Sequence, residues 1–172
     1  MAGNKYIYNN AGTLTEKAAI QTSAGAGNAG EIPALDSTGR LNSNMMPVGI
    51  GTESDLIIAS EALAAGDFVN IWTNTGAANV RKADAATAGK EAQGFVIAAV
   101  ESAATATVYR GTQVNTQRTG MTPGAKQYLS VTVPGGVQET VPSGTGQTVQ
   151  VLGEAKSATE IIFAPGTPIV LA

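Results

Sequence analysis

The sequence predicts an all-β fold: a small antiparallel β-barrel or sandwich of short strands, preceded by an extended, mostly irregular N-terminal arm. From residue 51 onward, short segments rich in β-branched and aromatic residues alternate with turn signals containing Gly, Pro, Asn and Ser. In residues 31–47, by contrast, the apolar side chains follow neither a period of 3.6 nor a regular period of 2. We therefore divide the chain into an arm, residues 1–50, and a β-barrel domain, residues 51–172.

The predicted strands of the β-barrel domain are short and are joined by tight turns at 65–67 and 74–76. The first group of predicted strands covers residues 56–58, 68–73, 79–83, 93–100, 105–110 and 113–114. The 93–100 segment is continuously apolar, which predicts a buried strand, and the Ala-rich residues 84–92 before it predict a loop or a single helical turn. Four consecutive antiparallel strands are expected within 121–165.

Residues 148–152 show the clearest alternation in the chain. In an extended strand, Val149 and Val151 share one face, while Thr148, Gln150 and Leu152 share the other. This pattern predicts a strand with one face in the core and its mostly polar face outside.

The arm begins with a short apolar patch, Tyr6, Ile7 and Tyr8, followed by a turn signal at 9–12. Residues 15–24 predict a short helix that either Thr13 or Thr15 caps and that needs outside packing to persist. Residues 23–30 are rich in Ala, Gly and Asn and predict a flexible connector.

The second part of the arm contains apolar residues that it cannot bury by itself. Pro33 and Pro47 disfavour a helix at either end, and residues 36–39 predict a β-turn with Asp first and Gly fourth. The apolar residues of this part are Ile32, Leu35, Leu41, Met45 and Met46. An extended segment of this kind needs a partner surface.

Composition excludes several classes of function. The chain has no Cys and no His, which removes imidazole-dependent triads and the usual zinc ligands, and we expect no cofactor or metal. The formal net charge of −3 gives no basic field for nucleic acid or an anionic membrane. No apolar run approaches the roughly 20 residues that span a bilayer, and the first eight residues do not predict a signal peptide. Charged residues make up only 13%, against about 25% in average domains, which favours a protein built to assemble.

Two patterns invite a catalytic or nucleotide-binding interpretation. Residues 25–30 match the letters Gly-x-Gly-x-x-Gly, but Pro33 blocks the helix that a dinucleotide site requires, so a linker is the better interpretation. Isolated carboxylates near predicted strand ends could in principle perform acid–base chemistry, yet none lies in a recognisable motif: Asp67, Asp84, Glu101, Glu139, Glu154 and Glu160. We interpret them as solvated side chains and expect no enzymatic activity.

Three aromatic residues, Phe68, Trp72 and Tyr109, could line a sugar-binding patch, since aromatic faces suit that role. Because aromatic residues make up only 5% of the chain, core anchors are the simpler interpretation. The adjacent basic pair Arg81 and Lys82 is interpreted as part of a solvated face.

The chain resembles the bacteriophage capsid decoration (cement) and head-fibre proteins. The arm segment Ile-Pro-Ala-Leu-Asp-Ser-Thr-Gly-Arg-Leu-Asn-Ser-Asn-Met-Met-Pro, residues 32–47, is similar to their Ala-Leu-Asp…Gly-Lys-Leu…Leu-Pro segment, with Arg40 where a lysine is common and two methionines where leucines are common. Residues 66–67, 81–84, 93–96, 121–124 and 153–160 resemble their small β-barrel module. The resemblance implies a homotrimer that binds the major capsid protein on the capsid exterior, is assembled in the host cytoplasm and has no enzymatic activity.

The resulting hypothesis is a trimeric capsid decoration protein that bridges neighbouring capsomers through its arms. The predicted contact residues are Tyr6, Ile7, Tyr8, Ile32, Leu35, Leu41, Met45 and Met46, and their packing inside the trimer or onto the capsid is left open. The alternative is a short head fibre or a receptor- or glycan-binding tip. A hydrolase of surface polysaccharide is a third hypothesis, which needs two carboxyl groups about 5–9 Å apart in a cleft.

Overall fold

The computed structural model describes residues 5–46 and 53–172, and its contacts divide the chain into two compact units, Met1–Gly51 and Thr52–Ala172. The predicted all-β class is confirmed. In the described residues the regular structure consists of strands, with two short 3₁₀ turns in the first unit.

The first unit begins with a β-hairpin. β1 (Lys5–Asn10) pairs antiparallel with β2 (Thr13–Ala18) through a two-residue turn whose residues Ala11 and Gly12 both have positive φ. The Asn9 side chain accepts a hydrogen bond from the Gly12 amide at 2.7 Å. The predicted turn is therefore present, but the helix predicted over 15–24 is wrong. A primed two-residue turn brings the β-branched Thr13 and Thr15 opposite β1, and cross-strand pairing replaces the weak helical pattern.

Residues 19–46 are mostly irregular, as predicted. Gly25–Asn28 and Ser43–Met45 form 3₁₀ turns, and an isolated parallel bridge joins Ile20 to Pro33. The connector predicted at 23–30 thus contains an ordered turn, because the Asn28 side chain accepts a hydrogen bond from the Ala24 amide at 2.6 Å. Pro47, which the sequence predicts as the end of this segment, lies outside the described residues.

The second unit contains a closed five-stranded barrel. Its strands are β3 (Ser54–Ala59), β4 (Phe68–Asn74), β5 (Ala77–Lys82), β6 (Gly94–Phe95) and β7 (Thr105–Tyr109), in the order β3-β5-β4-β6-β7. The pairs are antiparallel as predicted except for β3 and β5, which run parallel. β5 pairs with β4 through their tight hairpin and with β3 on its other side. Strand β3 runs in the same direction as β5. The barrel interior holds Ala59, Leu63, Val69, Val80, Val96, Ala106 and Val108.

A second sheet in the same unit is entirely antiparallel. It consists of β8 (Gln113–Asn115), β9 (Lys126–Leu129), β10 (Val137–Gln138), β12 (Val151–Ala155) and β13 (Ile161–Phe163), in the order β10-β9-β12-β13-β8. Two short strands, β11 (Thr148–Val149) and β14 (Ile169–Val170), form a separate pair.

The larger buried cluster of this unit is built around three phenylalanines. Phe68 from the barrel lies 5.5 Å from Phe163 of the second sheet and 6.1 Å from Phe95, measured between ring centroids. Tyr109 stacks on Phe95 at 5.6 Å and is half-buried. The interpretation as core anchors is therefore confirmed for Phe68 and Tyr109, whereas Trp72 is half-buried and belongs to neither buried cluster.

The strand predicted over 93–100 is mostly wrong. Only Gly94–Phe95 forms β6, and Ile97 is exposed where the chain leaves the barrel before Val100 returns to exchange backbone hydrogen bonds with Leu63. A continuous apolar run cannot distinguish a buried strand from a short strand followed by an exposed bend.

The burial predicted for 148–152 is reversed. Thr148, Gln150 and Leu152 are buried, while the two valines between them are half-buried. Gln150 is tolerated in the core because its amide makes two hydrogen bonds with the Ala92 backbone, at 2.8 and 2.9 Å. Satisfying both groups of the side chain removes most of the cost of burying it.

The interpretation of Arg81 and Lys82 as a solvated face is also wrong, because both side chains are half-buried and paired. Arg81 donates to the Asn70 side chain at 2.9 Å, and its guanidinium lies 4.7 Å from the Trp72 ring centre. Lys82 lies 3.7 Å from Asp67. The pair therefore belongs to the structure of the barrel wall.

Candidate interaction surface

The predicted contact residues all belong to the first unit, and most are exposed. Ile7 is 72% exposed and Leu35 is 55% exposed, and Ile32, Leu41 and Met46 are exposed to a lesser degree. Tyr6, Tyr8 and Met45 are half-buried. The structure therefore leaves several apolar side chains between residues 7 and 46 exposed to solvent.

The described residues of the first unit, 5–46, form no hydrophobic core. No described side chain between Lys5 and Met46 is buried, whereas the second unit buries eighteen apolar residues. A two-stranded hairpin by itself is marginally stable in water. Burying one side chain of the size of Ile or Leu contributes about 1.5–3 kcal/mol, so a partner that covers these residues gains substantial free energy.

The two faces of the hairpin differ in what covers them. On the first face, Tyr6 and Tyr8 lie 6.3 Å apart between ring centroids, and the Lys17 ammonium lies 5.2 Å from the Tyr8 ring centre. The Tyr6 hydroxyl donates to Glu31 at 3.2 Å, and Lys17 forms an ion pair with the same carboxylate. We call this surface the tyrosine face; Glu31 from the following segment contacts it.

The ion pair between Lys17 and Glu31 on the tyrosine face shifts the pKa of both side chains. The hydrogen bond from Lys17 lowers the pKa of Glu31, and the same hydrogen bond raises the pKa of Lys17. Both shifts favour the charged forms, so the contact is retained at neutral pH.

The opposite face of the hairpin carries exposed apolar side chains. The register places Lys5, Ile7 and Asn9 of β1 opposite Ala18, Glu16 and Leu14 of β2. Leu14 is 73% exposed, and it lies diagonally across from Ile7. Lys5 and Glu16 form an ion pair at 3.0 Å at one end of this face. We call this surface the Ile7–Leu14 face.

Tyr6, Ile7 and Tyr8 are consecutive in the sequence and are predicted as one patch, but β-strand alternation places Ile7 on the opposite face from both tyrosines. The sequence pattern also gives no role to Leu14, which lies between the two candidate caps of the predicted helix, Thr13 and Thr15. The alternating Thr13-Leu14-Thr15 triplet is the signal that could have found it.

A shallow open groove of about 460 Å³ brings other predicted residues together. Tyr6, Ile32 and Leu35 line it, with Lys5, Ala19, Ala34 and Asp36. Two of its lining residues are joined to Ile20 by backbone hydrogen bonds: the Ile20 amide donates to Ile32 at 3.0 Å, and the Ala34 amide donates to Ile20 at 2.7 Å. We call it the Ile32–Leu35 groove.

The turn after this groove is fixed by Asp36. Its carboxylate accepts hydrogen bonds from the Thr38 hydroxyl at 2.7 Å, the Thr38 amide at 2.8 Å and the Arg40 amide at 3.0 Å. These bonds lower the pKa of Asp36, with the Thr38 hydroxyl contributing most. The turn predicted at 36–39 is confirmed by the hydrogen bond from Gly39 to Asp36.

The other predicted contact residues, Leu41, Met45 and Met46, do not line this groove. Asn44 ties their segment to Ser23 through two hydrogen bonds of 3.0 and 3.2 Å. The eight predicted residues therefore fall into three groups: the hairpin, the groove and the 41–46 segment.

The acidic residues considered for catalysis have separate surroundings. Asp67 accepts a hydrogen bond from the Ala64 amide at 2.9 Å, Asp84 accepts one from Ala86 at 2.8 Å, and Glu160 pairs with Lys156 at 3.0 Å. Glu139 accepts a hydrogen bond from the Thr122 amide at 2.6 Å, which lowers its pKa. Glu101 and Glu154 are exposed. Within residues 5–46 and 53–172, no three acidic side chains cluster so as to hold a metal ion.

The fold and this surface together define a chain of two parts: an all-β unit with a complete core, and a coreless segment that presents apolar side chains. Comparison with protein families, curated proteins and solved structures gives no match. In the parts of the chain that the structure describes, no helix has the length and apolarity to span a membrane.

Proposed function

We propose that this protein is a structural virion protein, a homotrimeric decoration (cement) protein that binds the major capsid protein on the capsid exterior. Three copies present three arms, which contact neighbouring capsomers and join them across their seams. The proposal assigns no enzymatic activity, cofactor, nucleic acid or membrane to the chain.

The observation that carries the proposal is the contrast in burial between the two units. The second unit encloses its phenylalanine cluster and its barrel interior, and needs no partner to bury them. The first unit leaves Ile7, Leu35 and other apolar residues in solvent. The resemblance of residues 32–47 and of the barrel segments to phage decoration proteins supplies the identity of the partner.

A cement role suits weak contacts that are repeated. Each arm offers only a few apolar side chains, too few for a standard interface of about 1,600 Å². Three arms on one trimer act as linked binding modules, and linkage raises the overall affinity without new contacts. The low charge of the chain, 13% of residues, also limits repulsion between neighbouring copies at a crowded surface.

The aromatic residues favour this proposal over a glycan-binding tip. Phe68 is fully buried, and Tyr109 is half-buried against Phe95. Trp72 is half-buried, donates to the Ser60 hydroxyl at 3.1 Å and has one face against Arg81. The three rings considered for sugar stacking therefore do not form a shared platform.

The proposal is tested by adding the purified full-length protein to capsids that lack it and imaging the particles. We expect density at repeated positions on the outer surface. The variant Ile32→Ser/Leu35→Ser removes the apolar walls of the Ile32–Leu35 groove, and it is expected to weaken occupancy by tenfold or more.

The matched control for this experiment is Leu56→Ser, which changes a barrel residue that is 75% exposed. It removes a similar apolar group from a surface to which the proposal gives no role, so occupancy should stay at the wild-type level. Absence of wild-type protein from the capsids, or equal loss with both variants, would contradict the proposed function.

A further inference from the structure

We propose that the Ile7–Leu14 face of the hairpin is a homotypic contact, through which copies of this chain associate by packing their hairpins against one another. The number of copies, three, rests on the proposed function, whereas the homotypic contact itself rests on the hairpin. The Ile32–Leu35 groove is then the part of the arm that remains for the capsid protein.

The Ile7–Leu14 face is the face of the hairpin that its own chain leaves exposed to solvent. The tyrosine face contacts Glu31 of its own chain through Tyr6 and Lys17. On the opposite face, Ile7 and Leu14 are each more than 70% exposed, and they lie diagonally across the two strands. Diagonal neighbours on one face of a hairpin lie close enough for a single partner surface to cover both side chains.

The first unit needs a source of stability other than a core of its own. Units as small as the first unit that lack a core are usually stabilised by disulfides, a metal or oligomerisation. The chain has no cysteine, and no metal-binding cluster occurs among residues 5–46. Oligomerisation is the remaining route, and further copies of the hairpin are the partner that is present wherever the protein is folded.

The charge of the Ile7–Leu14 face suits contact with a second copy of the same face. The face carries one cation, Lys5, and one anion, Glu16, so its net charge is zero. A strongly acidic or basic partner finds no matching charge there. A second copy supplies apolar groups for Ile7 and Leu14, and because the face is neutral it brings no excess of like charge to the contact.

The oligomeric state of the full-length protein tests this inference without any capsid. In sedimentation or light scattering, wild-type protein is expected at three times the chain mass of 17.3 kDa. Ile7→Ser/Leu14→Ser should weaken self-association by tenfold or more, since it removes two buried groups from every contact. Leu56→Ser, a similarly exposed barrel residue, should associate as wild type does. Trp72 fluorescence shows that the second unit is folded in each variant.

A second measurement uses the absence of cysteine in the chain. Leu14→Cys introduces a single thiol on the Ile7–Leu14 face, and mild oxidation should give rapid covalent dimers at micromolar concentration. Thr13→Cys places the thiol on the tyrosine face one residue away, and it should cross-link slowly. Equal cross-linking at the two positions overturns the proposal.

The remaining outcomes separate this inference from the proposed function. A wild-type protein that is monomeric, or an Ile7→Ser/Leu14→Ser variant that associates as tightly as wild type, overturns the homotypic contact even when capsids are decorated. Dissociation by the hairpin variant alone supports the contact even when no version of the protein binds capsids, in which case the proposed function fails by itself.

Discussion

At the scale of single residues, the second unit depends on a few positions that no pattern identifies. Gly153 lies at an irregularity in the β9–β12 pairing, with a φ of 148°. A Cβ at this position would overlap the carbonyl oxygen of Ile162 on β13. Gly94 has a similar role, because a Cβ there would lie 2.7 Å from the carbonyl oxygen of Tyr109. Both glycines allow neighbouring strands to approach closely.

Gly153→Ala is therefore expected to destabilise the second unit by about 3 kcal/mol or more, because the obstructing atom is backbone and cannot rotate away. Denaturant unfolding followed by Trp72 fluorescence measures the change. Gly166→Ala is the control, since its added Cβ would meet Val151 at an ordinary 3.6 Å. Equal stability of the two variants would show that β12 and β13 are not held this close.

Glu139 gives the second unit a defined response to acid. Hydrogen bonds from the Thr122 amide and the Gln127 side chain lower the pKa of Glu139 below its ordinary value of 4.5. The folded state therefore prefers the carboxylate. Its contribution to stability is complete above pH 4.5, and it is lost as the pH falls through the lowered pKa.

We expect Glu139→Gln to reduce the free energy of unfolding at pH 7 and to have a progressively smaller effect below pH 4.5. Urea unfolding of both proteins between pH 7 and pH 3 measures this difference. Glu154→Gln, which changes an exposed glutamate on β12, is the control. A difference that grows on acidification would have the wrong sign for a lowered pKa.

At the scale of elements, the hairpin and the strands of the second unit owe their stability to different sources. β9 and β12 both carry buried residues, among them Leu129 and Leu152, and these side chains belong to one buried cluster inside the unit. β1 and β2 have the same backbone pairing but no buried side chain. Hydrogen bonding alone adds little net stability, so the hairpin depends on whatever covers its apolar face.

Hydrogen exchange should reveal this difference. On dilution below the concentration at which copies associate, the amides of β1 and β2 are expected to exchange many times faster, because the Ile7–Leu14 face then loses its cover. The amides of β9 and β12 serve as the internal reference and should not change. Exchange in the hairpin that is independent of concentration would show that the hairpin is stable without a partner.

At the scale of the whole molecule, the composition agrees with assembly. The chain has 21 glycines and few charges, so much of its length forms tight turns rather than a charged surface. Such a surface protects a solitary protein poorly against association. In a protein that covers a larger particle, the same surface permits dense packing.

The all-β class, the exposure of apolar residues in the arm and several turns are encoded locally in the amino-acid sequence. These follow from local chemistry: Thr75 and Gly76 adopt positive φ in a two-residue hairpin, and Asp36 bonds the amides that follow it. The exposed positions Ile32 and Leu35 were also predictable, since the neighbouring proline and turn prevent a regular amphipathic element.

Which face of each strand is buried, and which strands pair, depends on contacts between distant parts of the chain. Gln150 enters the core because the Ala92 backbone, 58 residues away, satisfies its amide. Leu14 belongs to a strand because its segment pairs with β1, where Asn9 lies opposite it. Periodicity records that two faces differ, but the free energy of burial depends on partners distant in sequence, and those are fixed only when the chain has folded.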